Sequence, residues 1–190
     1  MALWFNIMTA IIPSRDICLT LMDQHGMLPQ IKAHSLQVAR VALCLGENLI
    51  PHHPDLDLAL IEAGALLHDI AKTECLKTRG NHVSVGEEMV RAMGYESVAR
   101  IVAQHVRLEN AYYQSGWIDE TVLVHYADKR VLHEEVVDLV ERFQYLKRTY
   151  GRSEDIIALI EALYQDTLEL EKRIFHFLSF SPQALKDHLS

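Results

Sequence analysis

Apolar residues recur along this chain at the three- and four-residue spacing of amphipathic helices, and the alternating runs typical of strands are nearly absent. Helical patterns stop at Gly26, Gly94 and Gly151, and helix-capping residue types precede new patterns, as at Asp119 and Ser153. The pattern predicts helices over residues 14–25, 28–49, 55–72, 85–93, 97–106, 119–150, 153–180 and 182–188. We therefore predict an all-α fold, a single-domain helical bundle with a long C-terminal helix pair.

The last two long helices carry apolar stripes that are typical of core packing. The stripes are Val122, Val136, Val140, Phe143 and Leu146 on one helix and Ile156, Ile160, Leu163 and Ile174 on the other. We predict that both stripes face the core and that the two helices run antiparallel. Residues 1–150 would form the main domain with an N-terminal helix, and residues 151–190 a C-terminal helical extension packed on it.

A His-Asp pair, His68 and Asp69, lies near the end of the otherwise apolar segment 59–72, ALIEAGALLHDIAK. A carboxylate buried among apolar residues costs several kcal/mol or stays protonated unless it has a partner. A divalent metal ion is a partner that engages both side chains at once. The pair therefore predicts a metal site.

Further metal-capable residues lie on the predicted core-facing stripes of other helices. His34, His105 and Asp128 each have apolar neighbours at helical spacing, and His82 lies in a predicted loop over residues 73–85. A single core histidine is more often hydrogen-bonded to a backbone carbonyl than bound to a metal. Together with the His-Asp pair, however, these four residues favour a site of imidazoles and carboxylates, which suits Mn, Fe, Co, Ni or Zn.

The order His34, His68-Asp69, Asp128 resembles the H…HD…D signature of the HD-domain metal-dependent phosphohydrolases, over roughly residues 28–140. The string LLHDIAK is similar to the HDIG-type branch of that superfamily. Additional histidines at His82 and His105 resemble its two-metal subset, which includes bacterial symmetrical diadenosine tetraphosphate hydrolases. The resemblance implies an HD-type helical bundle in which Asp69 bridges two divalent ions, with Mg as a further alternative to the transition metals. The implied metal ligands are His34, His68, Asp69, His82, His105 and Asp128.

Two metal ions a few Å apart can share a hydroxide and clamp a phosphoryl group. We therefore predict a phosphohydrolase or phosphodiesterase that cleaves a phosphate ester or anhydride, with Asp69 and Lys72 as catalytic residues. Lys72 would neutralise a phosphate oxygen, although a lysine at a helix C-terminus is also favoured by the helix dipole. Lys72, Arg107 and Lys129 are the predicted substrate-binding residues.

A small-molecule phosphate, and in particular a nucleotide, is the predicted substrate. Tyr112, Tyr113 and Trp117 would stack on a base, although loop aromatics more often anchor a loop to the core. The chain has no GYP motif, which speaks against the cyclic dinucleotide branch. Lys72 stands where an acidic residue would strengthen the likeness to alarmone hydrolases and HD 5'-nucleotidases. Four histidines are left out of the predicted ligand set, His52, His53, His125 and His133, of which His125 would support a ligand.

Two other functions use similar residues. Some HD-superfamily proteins hold two irons with a closely similar ligand set and activate oxygen, and the ligands alone do not exclude such an oxygenase. The other alternative is a non-catalytic nucleotide-binding module, which the complete ligand set disfavours.

The chain is acidic, with 26 acidic against 18 basic residues and a formal net charge of -8. Because nucleic-acid polymers and anionic membranes are bound by basic surfaces, we predict neither as a partner. The three cysteines form no CxxC pair, which favours a reducing compartment and a cytoplasmic location. The apolar first twelve residues, MALWFNIMTAII, are too short to span a bilayer, and we expect them to cover the core or contribute to a homodimer.

Overall fold

A computed structural model describes residues 11–189 of the chain. The helices are α1 (Arg15–Gln24), α2 (Pro29–Leu49), α3 (Leu58–Leu67), α4 (Lys72–Thr78), α5 (His82–Ala92), α6 (Glu96–Gln104), α7 (Asn110–Ser115), α8 (Glu120–Lys129), α9 (Leu139–Tyr150) and α10 (Glu154–Phe175). A two-stranded antiparallel hairpin, β1 (Val131–Leu132) and β2 (Glu135–Val136), separates α8 from α9, and a 3-10 helix (Pro182–His188) follows α10. The prediction of an all-α fold is confirmed.

The core forms where α2, α3, α6 and α8 pack on one another. Its largest buried side chains include Leu45 of α2, Leu66 of α3 and Leu123 of α8. The side chain of Ile101 on α6 packs directly on Gly64 of α3, where a Cβ atom would lie 2.6 Å from Cδ1 of Ile101. Because these helices pack on one another, the C-terminal ends of α3, α6 and α8 lie close together.

The predicted helix over residues 55–72 is wrong in its last turn, because α3 ends at Leu67 and α4 begins at Lys72. Nδ1 of His68 contacts the Ala65 carbonyl at 2.7 Å, and the backbone carbonyl of Asp69 accepts from the Lys72 backbone N–H in a tight turn. Neighbouring residues of a regular helix point in different directions around its axis. The turn lets both His68 and Asp69 face the same region.

The predicted helix over residues 119–150 is also wrong, because the hairpin interrupts it. His133, in the turn of the hairpin, adopts a left-handed backbone with φ of +56°. The buried Arg130 donates from Nε to the Val137 carbonyl at 2.7 Å, and the Asp138 side chain caps the start of α9. Each strand contains one valine, Val131 or Val136, and β-branched residues favour extended backbone. As a result α9 does not continue along the axis of α8 but folds back, and its Arg142 lies 3.6 Å from Asp128 at the end of α8.

The predicted loop over residues 73–85 is largely helical. It contains α4 and the first turn of α5, whose start is capped by the Asn81 side chain accepting from the Val83 N–H at 3.0 Å. His82 therefore lies at a helix start and not in a loop. The short helix α7 was not predicted from the sequence.

The two C-terminal stripes are only partly in the core. Phe143 on α9 and Ile174 on α10 are fully buried, as predicted. Val140 is 50% exposed and Ile156 is 37% exposed, so the prediction of core packing is wrong for these positions. The helices α9 and α10 pack against each other. The N-terminal half of the α10 stripe extends beyond the core.

Two predictions concern membranes and the N-terminus. Among the described residues, no helix is long and apolar enough to cross a membrane. The apolar segment expected to cover the core or support a homodimer lies almost entirely outside the described residues. The division of the chain at residue 150 stays a prediction.

Candidate metal centre

Three predicted ligands from distant parts of the chain meet in the core. His34 comes from α2, His68 from the turn after α3 and Asp128 from the last turn of α8. One potential ligand atom of each lies within 4.8 Å of the others, and all three side chains are buried. Nε2 of His34 lies 3.0 Å from Oδ1 of Asp128, and Nε2 of His68 lies 3.9 Å from the same oxygen.

A second group lies beside the first and comprises Asp69, His82 and His105. Nε2 of His82 is 3.5 Å and Nε2 of His105 is 3.6 Å from Oδ1 of Asp69. The other oxygen of Asp69, Oδ2, lies 3.4 Å from Nε2 of His68 in the first group. The Asp69 carboxylate therefore lies between the two groups. The structure brings all six predicted ligands together.

The imidazole rings are oriented by the backbone. Nδ1 of His34, His68 and His105 contacts the carbonyls of His133, Ala65 and Val102 at 2.9, 2.7 and 2.7 Å. A neutral imidazole has one N–H, and donating it from Nδ1 leaves Nε2 with a lone pair. The three Nε2 atoms face carboxylate oxygens, so a cation between them would satisfy both kinds of donor atom. Backbone-held imidazoles of this kind are usual in metal sites.

Two atoms of the predicted ligands are buried without a hydrogen-bond partner, Nε2 of His68 and Oδ1 of Asp69. Such unpaired polar atoms are costly inside a protein. Both belong to ligands of nitrogen and oxygen type that suit divalent transition metals. The residues present therefore fit a divalent metal ion.

Neighbouring side chains keep both carboxylates ionised. Burial alone would raise the pKa of Asp69, but His68, His105 and Lys72 outweigh it and hold the pKa well below the usual range. Burial would likewise raise the pKa of Asp128, and Lys129 with other cationic neighbours lowers it well below the usual range.

The histidines of the second group are held in the neutral form. Burial lowers the pKa of His82 to about 4, despite the nearby Asp69 carboxylate. Burial also lowers the pKa of His105. Neutral imidazole and ionised carboxylate are the protonation states that bind metal ions.

Three cationic side chains surround the carboxylates. Nζ of Lys72 lies 2.6 Å from Oδ2 of Asp69, and Nζ of Lys129 lies 2.7 Å from Oδ2 of Asp128. Arg142 on α9 lies 3.6 Å from Oδ1 of Asp128 through its Nη2 atom. Sequence reasoning missed Arg142, because a continuous helix over residues 119–150 would have placed it about 20 Å from Asp128. No local sequence signal marks it.

The other predicted substrate-binding residues divide between the interior and the surface. Lys129 is 3% exposed and also donates to the His105 carbonyl at 2.9 Å, so it supports two ligands from inside the core. Arg107 is exposed and lies outside the ligand cluster, at the edge of a neighbouring groove. His125 is fully buried, and its Nδ1 lies 3.0 Å from the His105 carbonyl, in keeping with a supporting position.

A cavity of about 440 Å³ opens beside the centre. Its polar end is formed by Asp69, Lys72, His82, His105, Asp128, Lys129 and Arg142. The aromatic residues predicted to stack on a base, Tyr112, Tyr113 and Trp117, do not line it. Arg173 instead donates to the Tyr112 and Tyr113 carbonyls at 3.0 Å, which anchors α7 to α10.

The HD domain family matches residues 31–176, which include all six predicted ligands. The chain belongs to the HD domain family. HD domains bind divalent metals and generally indicate metal-dependent hydrolases, in keeping with the two His/Asp groups of this HD domain.

One similar protein is the tRNA (cytidine(56)-2'-O)-methyltransferase of Thermoplasma volcanium, 29% identical over 146 residues. The match covers 67% of this chain and 41% of the methyltransferase. Because this HD domain spans less than half of that relative, the name of the relative does not by itself assign an activity to the matched part. No solved structure matches the chain.

Replacing Lys129 by methionine is expected to weaken metal binding by this HD domain. The variant keeps the length of the side chain but removes the donors to Asp128 and to the His105 carbonyl. Loss of groups that orient ligands typically costs about 10- to 100-fold in metal affinity. The affinity for Mn²⁺ measured by calorimetry would show it.

The exposed Lys172 on α10 provides the matched control, because Lys172→Met removes the same charge outside the metal centre. It should bind Mn²⁺ as the unmodified protein does. Equal affinities for all three proteins, with unchanged helix content by circular dichroism, would show that Lys129 does not orient the ligands.

Proposed function

We propose that this protein is a metal-dependent hydrolase of a phosphate ester or anhydride. The observation that carries the proposal is the set of three cations, Lys72, Lys129 and Arg142, around two carboxylates that line one cavity. Any divalent ion adds further positive charge to this region. A site of that charge favours a multiply charged anion, and a phosphate is the anion that HD-type chemistry acts on.

The metal ligands follow from the two groups of side chains. We propose that His34, His68 and Asp128 hold one ion and that His82 and His105 hold a second, with Asp69 shared between them. When bound, divalent ions lower the pKa of a coordinated water toward neutrality and polarise a phosphoryl oxygen. The metal is expected to be Mn, Fe, Co or Ni, with Zn and Mg as alternatives.

Lys72 is proposed as a catalytic residue beside Asp69. Burial lowers the pKa of Lys72, but the Asp69 and Asp128 carboxylates outweigh this effect and raise it, so the side chain stays an ammonium. Its Nζ atom donates to Asp69 and lines the cavity, where its remaining N–H groups are available to a phosphate oxygen. Neutralising that oxygen would stabilise the charge that builds up as the leaving group departs.

Arg142 is a second proposed phosphate ligand. Its guanidinium lines the cavity, and its Nε atom is buried without a hydrogen-bond partner. Guanidinium groups bind phosphate oxygens through two parallel N–H donors. Lys129 and Arg107 keep the substrate-binding role predicted from the sequence, with Lys129 also holding Asp128.

The branch of the family and the nucleotide substrate are proposals. The HDIAK string and the paired metal groups support a likeness to the two-metal hydrolases that include the diadenosine tetraphosphate enzymes. The nucleotide prediction loses the support of Tyr112, Tyr113 and Trp117, which lie away from the cavity. A cytoplasmic location, a homodimer and the absence of nucleic-acid and membrane partners also stay predictions. The cationic side chains favour hydrolysis over the di-iron oxygenase and the non-catalytic module.

Metal analysis followed by phosphate-release assays tests the proposal. The purified protein is expected to hold about two transition-metal ions per chain and to release phosphate from simple esters or anhydrides without oxygen. Chelation should abolish the release, and Mn²⁺ should restore it. Two irons with oxygen consumption and no phosphate release would instead identify the oxygenase. Protein with no metal affinity would refute the proposal.

A further inference from the structure

The cavity beside the metal centre changes character away from the ligands. Its polar end carries the ligands and cations, whereas the rest of its wall is aliphatic and comes from α4, α9, α10 and the end of α6. The aliphatic lining residues are Leu76, Val106, Leu146, Ile156, Ile160 and Leu163. Apart from the metal-centre residues, the lining residues with polar side chains are Cys75 and Tyr150.

A second cavity of about 230 Å³ continues this wall along α10. The two cavities share four aliphatic residues, Val106, Ile156, Ile160 and Leu163. Leu159 and Ala162 of α10 extend the wall, and Arg107 and Asp166 are the charged residues that line this second cavity. We call the two cavities, with the aliphatic wall that they share, the α10 groove.

The apolar face of α10 is longer than the core requires. Leu170 and Ile174, in its second half, are fully buried. In its first half, Ile156 is 37% and Leu159 is 59% exposed, and both line the α10 groove. Exposed aliphatic side chains in a continuous row usually mark a surface that contacts another apolar group. Here three members of the row, Ile156, Ile160 and Leu163, line the same cavity as the metal ligands. The apolar group would therefore be attached to the group that binds at the metal centre.

We propose that the α10 groove binds the aliphatic part of the substrate, so that the substrate is an amphiphilic phosphate ester with an alkyl chain. The inference rests on the proposed function. The phosphate would lie among Lys72, Arg142 and the metal ligands, and the chain would lie along α10. Hydrolysis breaks the phosphorus–oxygen ester bond, water supplies the new oxygen on phosphorus, and the departing alcohol takes up a proton.

An alkyl chain fits the groove better than a nucleobase does. A site that selects a base uses polar groups to pair with the donors and acceptors on its edge. Away from the metal centre, the lining residues that offer such groups are Cys75, Tyr150, Arg107 and Asp166. An alkyl chain needs none, and each methylene that leaves water strengthens binding.

Binding of alkylphosphonates to the Mn²⁺-supplemented protein tests the proposal. In these compounds carbon replaces the ester oxygen, so they bind without being hydrolysed. Affinity measured by calorimetry is expected to rise about fourfold for each methylene that enters the groove, over the series from ethyl- to hexylphosphonate. Release of phosphate from the matching alkyl phosphates should follow the same order.

Two neighbouring isoleucines provide a variant and its control. Ile156→Asn places an amide in the groove and is expected to flatten the dependence of affinity on chain length. Ile157, at 41% exposed, is similar in exposure to Ile156 but lines neither cavity, so Ile157→Asn should keep the full dependence. Both positions are partly exposed, which keeps the cost in folding stability small.

The outcomes separate the groove from the proposed function. Chain-length-dependent binding that only Ile156→Asn flattens supports the groove, and if no alkyl phosphate is then hydrolysed, the proposed function fails alone. Affinity that does not vary with chain length, or that both variants change equally, overturns the inference. Tighter binding of AMP than of hexylphosphonate also overturns it. So does a dimer that Ile156→Asn dissociates without any chain-length effect, because a second copy would then cover the row.

Discussion

Replacing Asp69 by asparagine is expected to lower phosphate release by about a thousandfold or more, equivalent to about 4 kcal/mol of lost transition-state stabilisation. Asp69 lies between the two groups of ligands, with Oδ1 facing His82 and His105 and Oδ2 facing His68. The amide has nearly the same shape but presents one oxygen and no charge. Metal content should fall from about two ions per chain to one or none, as measured by mass spectrometry.

The charge-matched control is Asp187→Asn, at an exposed position in the C-terminal 3-10 helix. It removes one carboxylate outside the metal centre and should leave both metal content and phosphate release unchanged. If Asp69→Asn folds normally, keeps two ions and releases phosphate at the original rate, then Asp69 is not shared between the metals.

Removing the metal is expected to lower the melting temperature by about 10 °C. An ion present at about a thousand times its dissociation constant stabilises the folded state by about 4 kcal/mol. In a chain of this length, each kcal/mol corresponds to about 2 to 4 °C. Scanning calorimetry with EDTA and with added Mn²⁺ measures the difference.

The identity of the ion provides a control for this shift. Imidazole nitrogens supply most of the proposed ligands, and Mg²⁺ prefers oxygen ligands, so Mg²⁺ should raise the melting temperature less than Mn²⁺. His34→Gln, which removes one ligand of the first group, should reduce the Mn²⁺ effect. A melting temperature that is the same with EDTA, Mg²⁺ and Mn²⁺ would contradict a metal site in the core.

Much of the ligand cluster could be predicted from the sequence, because most of its members lie in recognisable local sequence patterns. His34, His105 and Asp128 occupy positions where apolar neighbours at helical spacing indicate an inward direction, and the family resemblance relates them to His68 and Asp69. The structure brings these residues together although His34 and Asp128 are 94 residues apart. Helical spacing is a property of each segment, so it can be recognised in the sequence without knowing how the segments pack.

Arg142 could not be predicted in the same way. Its place beside Asp128 depends on the hairpin, where the left-handed backbone of His133 and the cap at Asp138 reverse the chain. Helical periodicity continued across this region and concealed the break. The spacing of Ile156 likewise indicated an apolar face correctly, but it carried no information on whether the core or a groove lies against that face.

The hairpin also affects the order in which the centre can form during synthesis. His34 is oriented by the carbonyl of His133, and its partner Asp128 is made almost a hundred residues after it. A nascent chain therefore carries His34 and the His-Asp pair long before Asp128 leaves the ribosome. We therefore expect the first ion to bind late in synthesis and to stabilise the finished fold. A truncated product that ends before Asp128 would lack a complete first group of ligands.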